Sequence, residues 1–207
     1  SAAKEEVSEL ESLPSPPDWE LHRLEEIPLD SVWPWVNPRM LYNKHLGFKG
    51  DFAKALAEGN SSAQNIESAI QEIREEWRSG RLTGSALWRW FPAARVSGQL
   101  HIWSNLSSSA GNSGGPTAPA AVTWSLPPAR GSSLNLSDYL AAPSSEGQPS
   151  DSVALFVVSA GRGVREWAEE LKNSGDYLKS HALQALALES AEALAEWLHS
   201  RLRAGWG

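Results

Sequence analysis

The last third of the chain constrains the fold most. Residues 164–203 read as helical, with a single interruption at Gly175 that leaves a short helix and a long one. In the long one Ala182, Leu183, Leu186, Ser190, Ala193, Leu194 and Trp197 recur at helical spacing as one stripe. A stripe of that length needs a covering surface, and its small residues let a neighbour lie close. Residues 61–78 carry the same signal: Ser61-Ser62 opens a helix, Ile66, Ile70, Ile73 and Trp77 form its apolar face, and Ser79-Gly80 closes it. Strand patterns occupy other stretches. Trp19-Glu20-Leu21-His22-Arg23-Leu24 alternates, Ala86-Leu87-Trp88-Arg89-Trp90-Phe91 is stopped by Pro92, and Gln99-Leu100-His101-Ile102-Trp103 and Val122-Thr123-Trp124 follow. Val153-Ala154-Leu155-Phe156-Val157-Val158 is apolar almost throughout, which predicts a central strand covered on both faces. The expected class is α+β: a twisted antiparallel sheet flanked by helices, as a single domain.

The remaining segments read as connections. Residues 1–17 are acidic and end Leu13-Pro14-Ser15-Pro16-Pro17, the composition of a linker arriving from an upstream part. The chain starts at Ser1 without Met, as an excised piece of a longer protein would. The folded module is expected over 18–207, with 105–119, rich in Ser, Gly, Ala and Pro, as a flexible hairpin-tip insertion. Eleven Trp against four Phe and three Tyr place large rings, each with one N–H to satisfy, at core edges or an interface. A formal charge of −7 and the lack of a basic stripe argue against nucleic acid. No apolar run reaches the ~20 residues that span a bilayer. No cysteine is present, which excludes thiolate metal sites and fits a cytoplasmic setting.

Chemistry is sparse. The histidines are His22, His45, His101, His181 and His199, and no pair has zincin spacing. Gly161-Arg162-Gly163, between a strand and a helix, suits an anion or, more simply, a tight turn that needs glycine. Ile27-Pro28-Leu29-Asp30 is expected to start a helix with Asp30 or Ser31 as N-cap and Pro34 near its first turn. Asp30 could instead be a carboxylate for a cationic ligand, but on the residues alone the cap is the favoured reading. Ser107, Ser108 and Ser109 lack an accompanying His and acid, so a hydrolase is rejected.

An ordered set of segments resembles the activation domain of cobalamin-dependent methionine synthase. The set begins with Pro16-Pro17-Asp18-Trp19 and Leu29-Asp30-Ser31-Val32-Trp33-Pro34-Trp35-Val36-Asn37, then Leu41-Tyr42-Asn43-Lys44-His45-Leu46-Gly47-Phe48-Lys49. Trp88-Arg89-Trp90-Phe91-Pro92-Ala93 is similar to the family's aromatic-Phe-Pro-Ala, and Leu136-Ser137-Asp138-Tyr139 to its Leu-Ala-Asp-Phe. Asp176-Tyr177-Leu178-Lys179-Ser180-His181 then runs into Glu192-Ala193-Leu194-Ala195-Glu196-Trp197-Leu198-His199. The resemblance implies a domain that presents S-adenosylmethionine to cobalamin held by a neighbouring corrinoid-binding domain. With an electron from flavodoxin or a similar reductase, the oxidised, inactive corrinoid is remethylated. It implies that the family's acidic ligand contact falls on Asp30 or Ser31. The family's Gly-Tyr-Pro loop has no counterpart before Gly207. The piece alone is therefore expected to be inactive and to bind S-adenosylmethionine weakly or not at all. The rival reading is a docking module for the corrinoid domain or its reductase that does not bind S-adenosylmethionine. A free-standing methyltransferase is disfavoured because no complete ligand site is present.

Overall fold

The computed structural model describes residue 7 and residues 12–104 and 120–206. The expected insertion at 105–119 and most of the acidic N-terminal stretch lie outside the described residues. Five strands form one sheet: β1 (His22–Ile27), β2 (Gly84–Val96), β3 (Gln99–Ile102), β4 (Val122–Trp124) and β5 (Asp151–Ala160). The order is β1-β2-β3-β4, with β5 also paired to β2. The helices are α1 (Phe52–Ala57), α2 (Ser61–Glu76), α3 (Val164–Asn173) and α4 (Tyr177–Trp206). The class is α+β, as the sequence implies.

Strand β2 turns directly into β3. Ser97 and Gly98 both have positive φ, 51° and 76°, which suits a two-residue turn whose twist matches the flanking strands. The pairing is antiparallel and sets Val96 opposite Gln99 and Ala93 opposite Ile102. β3 and β4 are also antiparallel, with Leu100 opposite Trp124. Pro92 does not stop β2, contrary to the sequence reading. Its missing N–H is not needed there, because it enters the ladder through its carbonyl, which accepts from the Trp103 N–H at 2.9 Å.

Three other expectations are corrected. β1 begins at His22 rather than Trp19, because the Asp18 carboxylate accepts from the Glu20 N–H at 2.8 Å and pairs with His22 Nε2 at 2.7 Å, holding the intervening residues in a bend. The stretch after Ile27 is not an α-helix. It forms two 3-10 turns, Leu29–Ser31 and Trp33–Trp35, followed by a π-helix, Arg39–His45. Pro34 and Pro38 each remove a backbone donor and crowd the preceding turn, which prevents a continuous α-helix. Pro28 occupies the N-cap position and makes no side-chain cap, so neither Asp30 nor Ser31 is a cap. Finally, β5 is not covered on both faces: Phe156 is 36% and Val157 68% exposed, and β2 is its one neighbour among the described residues. A run of Val and Phe reports a preference for the pleated backbone as much as burial.

The chain forms two compact units, and the division falls within β1, β2 and β5. One comprises residues 1–22, 88–155 and 204–207. Its small core is Ala93, Leu100 and Ile102, with Phe91, Leu126, Leu140, Val153 and Leu155 packed against it. The segment Leu136–Tyr139 is a reciprocally capped 3-10 turn. Asn135 accepts from the Ser137 N–H, Asp138 accepts from the Asn135 N–H, and the buried Ser137 hydroxyl donates to the Gly98 carbonyl at 2.9 Å.

The other unit comprises residues 23–87 and 156–203. Here α2 behaves as its spacing predicts: Asn60 caps it by accepting from the Ala63 N–H, and Ile66, Ile70, Ile73 and Trp77 are all buried. Gly175 separates α3 from α4, and Leu183, Leu186 and Leu194 of the α4 stripe are fully buried. The stripe continues through Leu198 and Leu202 rather than Trp197, which is half-buried. Lys179 of α4 reaches Glu76 at 2.9 Å and Glu72 at 3.1 Å on α2. Tyr42 stacks on Phe52 and donates to Glu67 at 2.7 Å, and burial with that acidic partner pushes its phenol well up.

Gly161 and Gly163, with φ of 98° and 94°, make the tight turn between β5 and α3. A Cβ on Gly161 would collide with the Val164 side chain, whereas one on Gly175, at φ 87°, would meet nothing. Gly175→Ala is expected to cost about 1–2 kcal/mol of stability for the left-handed backbone alone. Gly161→Ala should cost that plus about 1–3 kcal/mol of overpacking. Urea unfolding of the two variants checks this; equal losses would contradict it.

Candidate functional site

The end of α2 and the first 3-10 turns build a cleft within the second unit. After Trp77 the helix widens into a π-turn, Trp77–Arg81, closed by Gly80 at φ 91°. Such widened turns recur at functional sites. The cleft has a volume of about 310 Å³ and is lined by Glu26, Ile27, Pro28, Leu29, Asp30, Trp33, Trp77, Arg78, Gly80, Leu82 and Thr83. That is near the lower end of small-molecule sites.

Trp33 lines it. The indole N–H donates to Ser190 Oγ at 3.2 Å, and the ring meets Trp77 edge-on with centroids 6.1 Å apart. Arg74 of α2 and Arg78 of the widened turn that follows it place guanidinium carbons 5.1 and 5.2 Å from the Trp33 ring centre. Arg78 also forks onto Asp30: its Nε lies 2.8 and 3.1 Å from the two carboxylate oxygens and its Nη2 2.8 Å from one of them. Hydrogen bonding to Asp30 raises the Arg78 guanidinium further above its ordinary range. The two side chains are 46% and 55% exposed, so solvent screens the pair despite its good geometry.

Sequence reasoning singled out Asp30 and Ser31, and the structure treats them differently. Asp30 lines the cleft, whereas Ser31 is exposed outside its lining, and its hydroxyl donates to the Pro28 carbonyl at 2.8 Å. The sequence pattern marks Arg78 as a helix end and Trp77 as a core residue. The signal for them was a bulky aromatic and two arginines converging just before a glycine. Trp77 is 3% exposed, and its indole N–H, like those of Trp88 and Trp90, is buried without an acceptor among the described residues.

A second polar feature lies deeper in the same unit. Glu189 of α4 is 1% exposed, and its carboxylate meets His45 Nε2 at 2.8 Å, while His181 Nε2 meets the His45 backbone carbonyl at 2.9 Å. Burial raises the Glu189 carboxyl above the usual range, and the hydrogen bond from His45 only partly offsets this. Among the described residues no group of three or more His, Cys, Asp or Glu could hold a metal. A larger groove of about 560 Å³ follows the Gly161 turn and α3, but its lining mixes Arg165 and Lys172 with Glu166 and Glu169 and selects no charge. No helix among the described residues is long and apolar enough to cross a membrane.

The fold is similar to that of a crystal structure of the MetH reactivation domain bound to AdoHcy. The TM-score is 0.75 at 18% identity, over 95% of this chain and 59% of that one. At that identity the likeness shows the fold, and the chain spans about three-fifths of the structure it matches. The family model described as "Vitamin B12 dependent methionine synthase, activation domain" matches residues 28–207, which takes in the His45–Glu189 pair and all of the cleft lining except Glu26 and Ile27. With most of its length matched, the chain belongs to the activation-domain family of vitamin B12 dependent methionine synthase.

Proposed function

We propose that this domain supports the reductive remethylation of cobalamin in a methionine synthase, using S-adenosylmethionine. Membership of the activation-domain family over residues 28–207 carries the reading. The similarity to a domain that was crystallised with AdoHcy supports it. Residues 1–17 would lead in from an upstream part of the enzyme, and cobalamin would sit in a neighbouring corrinoid-binding domain. Flavodoxin or a similar reductase would supply the electron, in a cytoplasmic setting.

The cleft has groups that fit S-adenosylmethionine. Asp30 offers an anion for a sulfonium or ammonium group, and the Trp33 ring lines the same cleft. Ser31, at the rim, could reach a ligand only by releasing the Pro28 carbonyl. When bound, S-adenosylmethionine supplies the methyl group and leaves as S-adenosylhomocysteine. The domain's own contribution is to hold that ligand at a fixed distance and angle, which needs grip rather than acid–base residues.

One observation favours the docking-module alternative: both Asp30 oxygens are already taken by Arg78. Calorimetric titration of S-adenosylmethionine into this chain and into the complete gene product separates the two. Under the proposal the complete protein binds, and Asp30→Asn weakens binding about tenfold or more, the worth of a hydrogen bond to a charged group. Because Asp30 is not a helix cap, the same change should lower stability by no more than about 1 kcal/mol. No binding by the complete protein would leave the docking module.

A further inference from the structure

We infer that the π-helix Arg39–His45 is a two-register element: anchors on either side hold it in its wide turn, and release of His45 from Glu189 lets the same residues close as an ordinary α-turn. The π-helix is the rare alternative, seen mostly as single widened turns at functional sites. Nothing in the run forbids the tighter turn, because residues 39–45 contain neither Pro nor Gly. The chain enters it as an α-helix would. Asn37 Oδ1 accepts from the Arg39 and Met40 amides at 3.1 and 3.2 Å, and the Leu41 N–H reaches back four residues to the Asn37 carbonyl at 3.0 Å. Only then does the turn widen: the Leu46 N–H reaches back five residues, to the Leu41 carbonyl at 3.0 Å.

Two side chains account for the widening. Tyr42 stacks on Phe52 of α1 and donates to Glu67 of α2 at 2.7 Å. His45, three residues on, turns to α4: its Nε2 meets Glu189 at 2.8 Å, and its carbonyl accepts from His181 Nε2 at 2.9 Å. On an α-helix residues three apart lie roughly 60° from each other around the axis. A wider turn spreads them, so that one reaches α2 and the other α4. The His45 anchor is the one that can let go, because opening returns the Glu189 carboxyl to water and to its ordinary range. In the closed register burial raises that carboxyl; Glu192 on α4 adds to the rise and His45 on the π-helix opposes it. The closed register therefore binds the proton more tightly than the open one. It is favoured at low pH and loses ground as pH climbs through the raised value. Ser190, next along α4, keeps its bond to the Trp33 indole, so the movement stays within residues 39–45.

The bond pattern itself is the test, read in the whole chain as couplings across the hydrogen bonds from amide nitrogen to carbonyl carbon. The Leu46 N–H should couple to Leu41 in the unsubstituted protein and in Glu189→Gln, whose neutral amide can still accept from His45. In His45→Ala it should couple to Tyr42 instead, four residues back. His45→Ala combined with Glu189→Leu leaves no buried charge and should show the same change in a stable protein. A coupling that stays on Leu41 in the double variant, or vanishes there with none to Tyr42, would overturn the inference. Amide exchange of residues 43–45, corrected for its intrinsic rate, should be severalfold faster at pH 7.5 than at pH 5 in the unsubstituted protein. It should not depend on pH in Glu189→Gln, and the Trp33 indole resonance should stay in place throughout. Exchange that ignores pH in the unsubstituted protein, or a Trp33 resonance that moves with it, would contradict a confined, proton-biased change of register.

Discussion

Leu186→Ala is expected to lower the unfolding free energy by about 2–5 kcal/mol, with the slope of the urea transition unchanged. Leu186 is fully buried on the α4 stripe, so truncation removes apolar contact and leaves a cavity that a helix packed along its length cannot close. Leu188→Ala is the control on the same helix. Leu188 is 50% exposed, and its loss should fall within about 0.5 kcal/mol. Similar midpoints for the two variants would mean that α4 is not packed as described. Leu155→Ala should fall between them, because that residue is only half-buried at the edge of the Ala93, Leu100 and Ile102 cluster.

His45→Ala is expected to cost about 3–5 kcal/mol at neutral pH, because it leaves the Glu189 carboxylate buried without its partner. The pH dependence follows from the raised Glu189 carboxyl. A group raised on folding contributes its stability at pH values below its unfolded range. That contribution is lost as pH climbs through the folded value. The penalty of His45→Ala should therefore shrink towards pH 4, where Glu189 takes up a proton, and grow towards pH 7.5. Glu192 adds to the rise by like-charge repulsion. His45→Ala combined with Glu189→Leu should recover most of the loss, since no buried charge remains. A penalty independent of pH, or no recovery in the double variant, would show that the pair does not bear on stability in this way.

The helices were legible in the sequence because their signals are periodic and local. Ile66, Ile70, Ile73 and Trp77 state the buried face of α2, and Gly175 states the break between α3 and α4. Errors arose where a local rule met a tertiary partner. Pro92 looked like a strand breaker, yet only its carbonyl is needed in the ladder. Asp30 looked like a cap, yet two prolines replace the helix by 3-10 turns, and an arginine 48 residues away takes the carboxylate. Glu189 carries no local signal of burial, because a glutamate in a long helix suggests a solvated face. It nevertheless lies between Leu186 and Ala193 at helical steps, on the stripe that the sequence marks as buried. The cleft itself was not legible. Arg78 and Asp30 meet only when the widened turn after Trp77 brings α2 back to the start of the unit, and no spacing in the chain encodes that.

The central claim is that this domain serves the remethylation of a corrinoid. The most direct measurement follows the visible spectrum of the complete enzyme, starting from its oxidised, inactive corrinoid, with S-adenosylmethionine and reduced flavodoxin. The account predicts that methylcobalamin forms, that deletion of residues 28–207 abolishes its formation, and that turnover with methyltetrahydrofolate by enzyme still in its active form persists. Undiminished remethylation in the deletion variant would contradict it.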